Sequence, residues 1–317
     1  MKNNYSVGVD LGGTKIKIGL VNSSGRIINK ISIDTFAKEG PDKVVSQIKK
    51  GIHTLLDTNK KTIQGIGIGS PGTVSLKKGT VENPPNLPGW DRVHLGRIIT
   101  KEFGLPTFVE NDANAAAIGE LIYGAGKTLN SFLMVTLGTG VGGGIIYNKK
   151  LFRGENGGAG EIGHITIDHH GPKCKCGSRG CLETYLGNNY LTKNVIEQLK
   201  KNKSSLIYDM LNGDLKKLNP RIIHEASLEG DKFAIGVINN VGTTLGHGMA
   251  SIVNVFDIST VVIGGGVAGF GKPLFAAVKK SIQARVLTPL RPRIKVRQAK
   301  LKNNAGIKGA SSLVLYD

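Results

Sequence analysis

The chain has 317 residues, with 42 Lys and Arg against 23 Asp and Glu and a formal net charge of +19. Hydrophobic content of 39% with 5% aromatics is that of an ordinary globular protein large enough for about two domains. No run approaches the roughly 18 apolar residues of a membrane span and no secretory segment opens the chain, so no membrane partner and a cytoplasmic location are expected.

Excess positive charge ordinarily raises nucleic acid as a partner. Here it is concentrated: no acid occurs between Asp257 and Asp317, a stretch holding Lys279, Lys280, Arg285, Arg291, Arg293, Lys295, Arg297, Lys300 and Lys302. Without aromatic interleaving or a nucleic-acid module beside it, this reads as solvated surface, and nucleic acid is not expected.

In chain order, Val7, Val9 and Leu11 alternate, and the pattern resumes at Ile16, Ile18 and Leu20 after Gly12-Gly13-Thr14, which predicts a β-hairpin with a glycine-rich turn. A helix near Asp42 to Asp57, a buried strand over Ile63 to Ile68 and a Pro-rich loop from Asn83 to Trp90 follow. A strand over Thr107 to Val109 leads into an alanine-rich helix. Val135-Thr-Leu-Gly-Thr-Gly-Val-Gly-Gly-Gly144 then repeats the phrase Val9-Asp-Leu-Gly-Gly-Thr, which points to a duplicated strand-turn-strand unit. Helices are expected over Asn188 to Asn202 and Lys232 to Ile252, then a buried strand over Thr260 to Ile263, then helices over Leu274 to Val286 and Ala305 to Leu315. Alternating strands and helices favour an α/β architecture. No low-complexity linker separates the halves, so a boundary near Asp112 has to be a hinge.

Two glycine turns present backbone N–H groups of the kind that cradle phosphate, although hairpin turns favour glycine on conformational grounds alone. Neither is a P-loop, because no G-x-x-x-x-G-K-[ST] is present and a strand follows the first turn. Asp10 enters the first turn as an oxygen ligand able to hold magnesium through water; Thr14 and Thr139 add hydroxyl donors. A third cluster, Gly264-Gly-Gly266-Val-Ala-Gly269, matches G-x-G-x-x-G, but the acid required some 20 residues later is missing, so a Rossmann site is rejected. In Glu110-Asn111-Asp112, Asp112 suits either of two tasks: capping the following helix, or accepting a proton from a hydroxyl that attacks phosphorus.

All three cysteines fall within Cys174-Lys-Cys176-Gly-Ser-Arg-Gly-Cys181. Three thiols cannot all pair internally, whereas three thiolates and one imidazole make a closed tetrahedral zinc site of structural type. Spacing leaves the fourth ligand open among His164, His169 and His170.

Taken together, VGVDLGGTK, the GSPG of Gly69 to Gly72, ENDANAAA, LGTGVGGG, and GGAGEIGH followed by CKCGSRGCLE resemble the ROK family of sugar kinases and related repressors, particularly its ATP-dependent glucokinases. The resemblance implies an actin-like ATPase fold, a duplicated ribonuclease H-like α/β architecture of two domains with a cleft between them. Residues 1–112 with 303–317 would form the smaller domain and 113–302 the larger, zinc-bearing one. It implies ATP with magnesium as phosphoryl donor, a hexose as acceptor, glucose foremost, and Asp112 as general base. Asn111, Asp112, Glu161, His164, Glu183 and Gly72 would bind the sugar. Asp10, Gly12, Gly13, Thr14, Lys15, Gly138, Thr139, Gly140, Gly265 and Gly266 would bind the nucleotide, and His164 would join Cys174, Cys176 and Cys181 on zinc. N-acetylmannosamine or fructose is the alternative acceptor. A sugar-responsive regulator is less expected, since such repressors carry an N-terminal helix-turn-helix and the phosphate motif here starts at Val7. A homodimer is expected.

Overall fold

The computed structural model describes residues 4–59, 61–75 and 79–316. Contacts divide the chain into two compact units: unit 1 is Met1–Asn130, Gly144–Gly160 and Lys300–Asp317, and unit 2 is Ser131–Gly143 and Glu161–Ala299.

Unit 1 begins with β1 (Tyr5–Leu11), β2 (Lys15–Asn22) and β3 (Ile27–Asp34), followed by α1 (Pro41–Asp57) and β4 (Ile63–Ser70). Three short strands, β5 (Thr73–Ser75), β6 (Thr80–Glu82) and β7 (Arg92–Val93), form a small antiparallel sheet. Then come α2 (Leu95–Phe103), β8 (Thr107–Asn111) and α3 (Asp112–Tyr123). The main sheet has the order β3-β2-β1-β4-β8. β1 and β2 form the expected hairpin, closing at Leu11 opposite Ile16, and its alternating Val7, Val9, Ile16, Ile18 and Leu20 are all fully buried. In α1, Val44, Ile48, Ile52 and Leu55 recur every three or four residues and are fully buried, one helical stripe contributing roughly 2 kcal/mol per side chain. The last helix, α10 (Ala305–Ser312), returns to this sheet so closely that a Cβ on Gly67 would lie 1.8 Å from the Ala310 carbonyl oxygen. Glu120 of α3, fully buried, ties the return down: its carboxylate accepts from Leu301 N at 2.8 Å and from Ala125 N at 2.6 Å.

Unit 2 is built on β9 (Phe132–Leu137), β12 (Thr260–Gly264) and β13 (Lys295–Gln298), with β12 parallel to both neighbours. β10 (Val141–Tyr147) starts beside β9, and its far end pairs antiparallel with β11 (Lys150–Phe152) in unit 1. The resulting order, β11-β10-β9-β12-β13, repeats the first sheet position for position: third, second, first, fourth, fifth. That repetition is the duplicated ribonuclease H-like architecture of the actin-like ATPase fold. Helices α4 (Glu183–Leu186), α5 (Asn188–Leu199), α6 (Leu206–Met210), α7 (Pro220–Leu228), α8 (Lys232–Phe256) and α9 (Lys272–Arg285) complete the unit.

The differences from expectation have local causes. α8 runs to Phe256 rather than Ile252, ending where Asp257 takes a left-handed conformation with φ 51°. α5 stops at Leu199 rather than Asn202. α3 packs on α10 and lies whole in unit 1. Among the described residues, no helix is long and apolar enough to cross a membrane.

Candidate active site

Strand register builds the unit 1 site. Asp10 of β1 lies opposite Gly69 of β4, which lies opposite Glu110 of β8, a row at the carboxyl ends of three parallel strands, where α/β sheets bind ligands. The first glycine turn closes by Gly12 N donating to Lys15 O at 3.1 Å. Buried Thr35 holds it from below, its hydroxyl donating to Gly12 O at 2.7 Å and its N–H to Thr14 O at 3.0 Å. Burial pushes the Asp10 carboxyl up from its ordinary value, with Lys17, 3.8 Å away, opposing. Its carboxylate rests on Gly306 of α10, where a Cβ would come within 2.2 Å of Asp10 Cγ. Lys15 pairs with Asp34 at 2.8 Å with both side chains half exposed, a contact of small net value.

At the end of β8 the two readings of Asp112 separate. The helix cap is Asn111, whose Oδ1 accepts from Ala113 N at 3.0 Å and Asn114 N at 3.2 Å. Asp112 is the first helical residue, exposed, with Oδ1 accepting from Ala113 N at 2.8 Å. The Asn111 amide also donates to Gly72 O at 3.2 Å, so the GSPG turn and the cap are joined. Behind them Glu110, only 3% exposed, accepts from Asn111 N, Asn114 Nδ2 and Arg153 Nε.

Unit 2 gathers its own set. Gly138 N donates to Gly140 O at 2.9 Å to shape the second glycine turn, and Asn188 N donates to Gly138 O at 2.9 Å. The third glycine cluster joins it: Gly265, at φ 88°, is pressed so closely on Leu137 that a Cβ would lie 2.2 Å from that carbonyl oxygen, a conformation and an approach only glycine allows. A Cβ on Gly138 or Gly266 would meet nothing within 4 Å. Both turns therefore leave an open face at these positions. Glu183, first residue of α4, accepts from Val141 N at 2.9 Å. Glu161 is exposed at the start of the short turn Ile162–His164, and Gly163 in that turn sits against the Val141 carbonyl.

The cysteine loop is a compact knot, with a bridge between Thr166 and Cys181, another between Lys173 and Arg179, and Cys174 N donating to Ser178 O at 2.8 Å. All three thiols are free. Ligand atoms of His164, Cys174, Cys176 and Cys181 lie within 4.8 Å of one another. Cys176 Sγ is 3.7 Å from Cys181 Sγ, and His164 Nδ1 is 3.7 Å from Cys174 Sγ. Zinc–sulfur bonds of about 2.3 Å give a tetrahedral edge of about 3.8 Å, which these two separations match, so the chemistry and closeness of the donor set fit zinc. His169 and His170 are exposed and lie against each other, ring centres 3.9 Å apart and planes tilted by 46°. Burial pushes the Cys181 thiol up to about 12, while a backbone hydrogen bond from Ser178 lowers exposed Cys176.

Sequence patterning brought forward the glycine turns and the Asn111-Asp112 pair but missed Lys17, Thr35, Glu110 and Arg153 as their supports. Lys17 was within reach, since the hairpin register pairs it with Asp10; Arg153 carries no local signal.

Residues 6–316 match the ROK family model. The glucokinase of Thermotoga maritima (strain ATCC 43589 / DSM 3109 / JCM 10099 / NBRC 100826 / MSB8) is 35% identical over 97% of this chain and 96% of its own length. The xylose repressor of Caldicellulosiruptor bescii is 33% identical over 98% of this chain but 78% of its own. The crystal structure of a ROK family glucokinase from Streptomyces griseus in complex with glucose and AMPPNP superposes with TM-score 0.86 at 34% identity, covering 98% of both chains. By motif order, duplicated sheet and likeness along almost its whole length, this chain belongs to the ROK family.

Proposed function

We propose that the chain is an ATP-dependent hexose kinase that converts glucose to glucose 6-phosphate. The observation that carries this reading is the likeness to glucokinases over nearly the entire chain, including one crystallised with glucose and an ATP analogue. Glucose is the first acceptor; N-acetylmannosamine, fructose and other hexoses share most of the hydroxyls such a site would read.

Asp112 is the general base in this reading. It takes the proton of the sugar 6-hydroxyl as that oxygen bonds to the γ-phosphorus, while the bond from that phosphorus to the bridging oxygen breaks and ADP leaves. Its exposed position beside a helix that Asn111 caps supports the role. Asn111, Gly72, Glu161, His164 and Glu183 are proposed to hold the sugar: a carboxylate accepts from two neighbouring hydroxyls, which suits glutamates to a hexose. One oxygen of Glu183 is already committed to Val141 N, so its other oxygen is assigned to the sugar. Gly12, Gly13, Thr14, Lys15, Gly138, Thr139, Gly140, Gly265 and Gly266 are proposed to receive the nucleotide through backbone N–H groups and hydroxyls, and Asp10 is the carboxylate that would hold magnesium through water. Magnesium neutralises phosphate charge, and little covalent help is then needed beyond positioning.

His164, Cys174, Cys176 and Cys181 would hold zinc, which would cross-link the loop; with one ring nitrogen of His164 so engaged, the other would be fixed as an N–H donor toward the sugar. Thiols kept as ligands require a reducing compartment, consistent with the cytoplasm. A homodimer is the proposed assembly.

An ADP-release assay on metal-loaded protein with glucose, mannose, fructose, N-acetylmannosamine and N-acetylglucosamine tests the reading. Glucose should give the highest kcat/KM. Another sugar in first place reassigns the substrate. If none is accepted, the kinase reading falls and a regulator like the repressor relatives takes its place.

A further inference from the structure

We infer that Glu110 and Arg153 form an ion pair that positions Asp112, a role resting on the reading of Asp112 as the base. Glu110 is the next-to-last residue of β8 and 3% exposed. Its Oε1 accepts from Asn111 N at 2.9 Å and from Asn114 Nδ2 at 3.2 Å, and its Oε2 from Arg153 Nε at 3.0 Å. The two residues on Oε1 bracket Asp112, one immediately before it and one two residues after. A single carboxylate therefore holds the backbone N–H just before the base and the side-chain amide two residues after it.

Packing alone does not account for a charge at this place. Burying a carboxylate and a guanidinium is costly, and an apolar pair of similar volume is often as stable or more so. What an apolar pair cannot do is accept from the Asn111 N–H and the Asn114 amide together. Arg153 reaches this point from the segment Gly144–Gly160, with its guanidinium 5.9 Å from the Tyr316 ring centre. Its other side faces a cavity of about 540 Å³ whose walls include Phe108, Glu110, Leu313 and Tyr316. The guanidinium can thus be reached from outside while its partner stays buried.

That access supplies the test. Arg153→Ala and Glu110→Gln should each lower kcat roughly 10- to 100-fold while KM for glucose and ATP stays within about twofold, since misplacement of a base by a fraction of an ångström acts on the chemical step. Ethylguanidinium at millimolar concentration should restore kcat of Arg153→Ala saturably through the cavity and leave Glu110→Gln unrescued. The double variant Glu110→Leu/Arg153→Met removes both charges together with the acceptor, and guards against a single variant that fails to fold for want of its partner; it should remain slow. Wild-type kcat in the double variant, or a loss in Arg153→Ala that follows its melting temperature and is not rescued, overturns the inference. Asp112→Asn is measured alongside. If it is inactive while Arg153→Ala turns over normally, only the positioning role falls; if it keeps wild-type turnover, the base reading itself falls.

Discussion

Glu183 Oε2 accepts a hydrogen bond from Val141 N at 2.9 Å and lies directly against Gly140, where a Cβ would come within 2.2 Å of that oxygen. One carboxylate thus joins the helix after the third cysteine to the second glycine turn, and a group assigned to the sugar rests on a turn assigned to the nucleotide. Gly140→Ala should therefore raise KM for glucose as well as for ATP, by about tenfold, the equivalent of one charge-assisted hydrogen bond of about 1.5 kcal/mol. Steady-state kinetics decide it. An effect confined to ATP would mean that Glu183 moves without consequence for the sugar.

Asp112→Asn should lower kcat by about 10³-fold, within the range for loss of a general base, and leave glucose binding by calorimetry nearly unchanged. The substitution keeps size and hydrogen bonding, and the cap of α3 is Asn111, so helix stability should not move. Turnover near that of the unmodified enzyme would remove Asp112 from the mechanism.

Much of this arrangement was legible in the chain because its signals are local. Alternation at Val7 to Leu20 gives the hairpin, and the spacing of Val44, Ile48, Ile52 and Leu55 gives the helix. Repetition of the glycine phrase gives the duplication later seen in the two sheet orders. The sequence leaves capping open as one of two tasks for Asp112, whereas the cap is Asn111; Asn and Asp cap almost equally well, and only backbone geometry separates the two. The short helices α2, α6 and α7 were passed over, although Asn219-Pro220 at the start of α7 is an N-cap followed by proline at the first position. The Glu120–Leu301 and Glu110–Arg153 contacts carry no local signal, because the partners lie far apart along the chain.

Glu120→Ala should cost about 3 kcal/mol of stability, because it leaves the buried N–H groups of Leu301 and Ala125 without acceptors. Denaturant unfolding measures the loss. Limited proteolysis should show earlier cleavage near residue 301, where the return to unit 1 is no longer held. Glu120→Gln, which retains one acceptor, should lose less.

Asp10 makes a prediction with a definite sign. Its carboxyl ionises near 3.8 when unperturbed and higher in the folded protein, chiefly from burial, with Lys17 opposing. The folded state therefore holds this proton more tightly than the unfolded chain. The stability it contributes is complete below the unfolded value and is lost as pH rises through the folded one, so at neutral pH ionised Asp10 is a net cost. Asp10→Asn should raise the melting temperature at pH 7, with the gain vanishing in acid, while activity should be lost if this carboxylate holds magnesium as proposed. A lower melting temperature at pH 7 would mean that pairing with Lys17 outweighs burial.

The metal prediction follows from donor spacing. Sulfur–sulfur and sulfur–nitrogen separations of 3.7 Å already have the size of a zinc tetrahedron, so freshly purified, chelator-free protein should carry about one zinc per chain. Cys181 is fully buried, and its neighbour Leu182 donates to Ile165 O at 2.9 Å, which connects the thiol end of the loop to the turn bearing His164. Removing zinc by chelation, or Cys181→Ala, should therefore weaken glucose binding at least tenfold, in the range for disturbed metal-site geometry. ATP should be affected less, because the first glycine turn is held by Thr35 and α10 in unit 1. Calorimetric titrations of each ligand with metal-loaded and stripped protein separate the two effects. Glucose affinity that survives complete loss of zinc would show that the loop holds His164, Glu161 and Glu183 in place by its backbone hydrogen bonds alone.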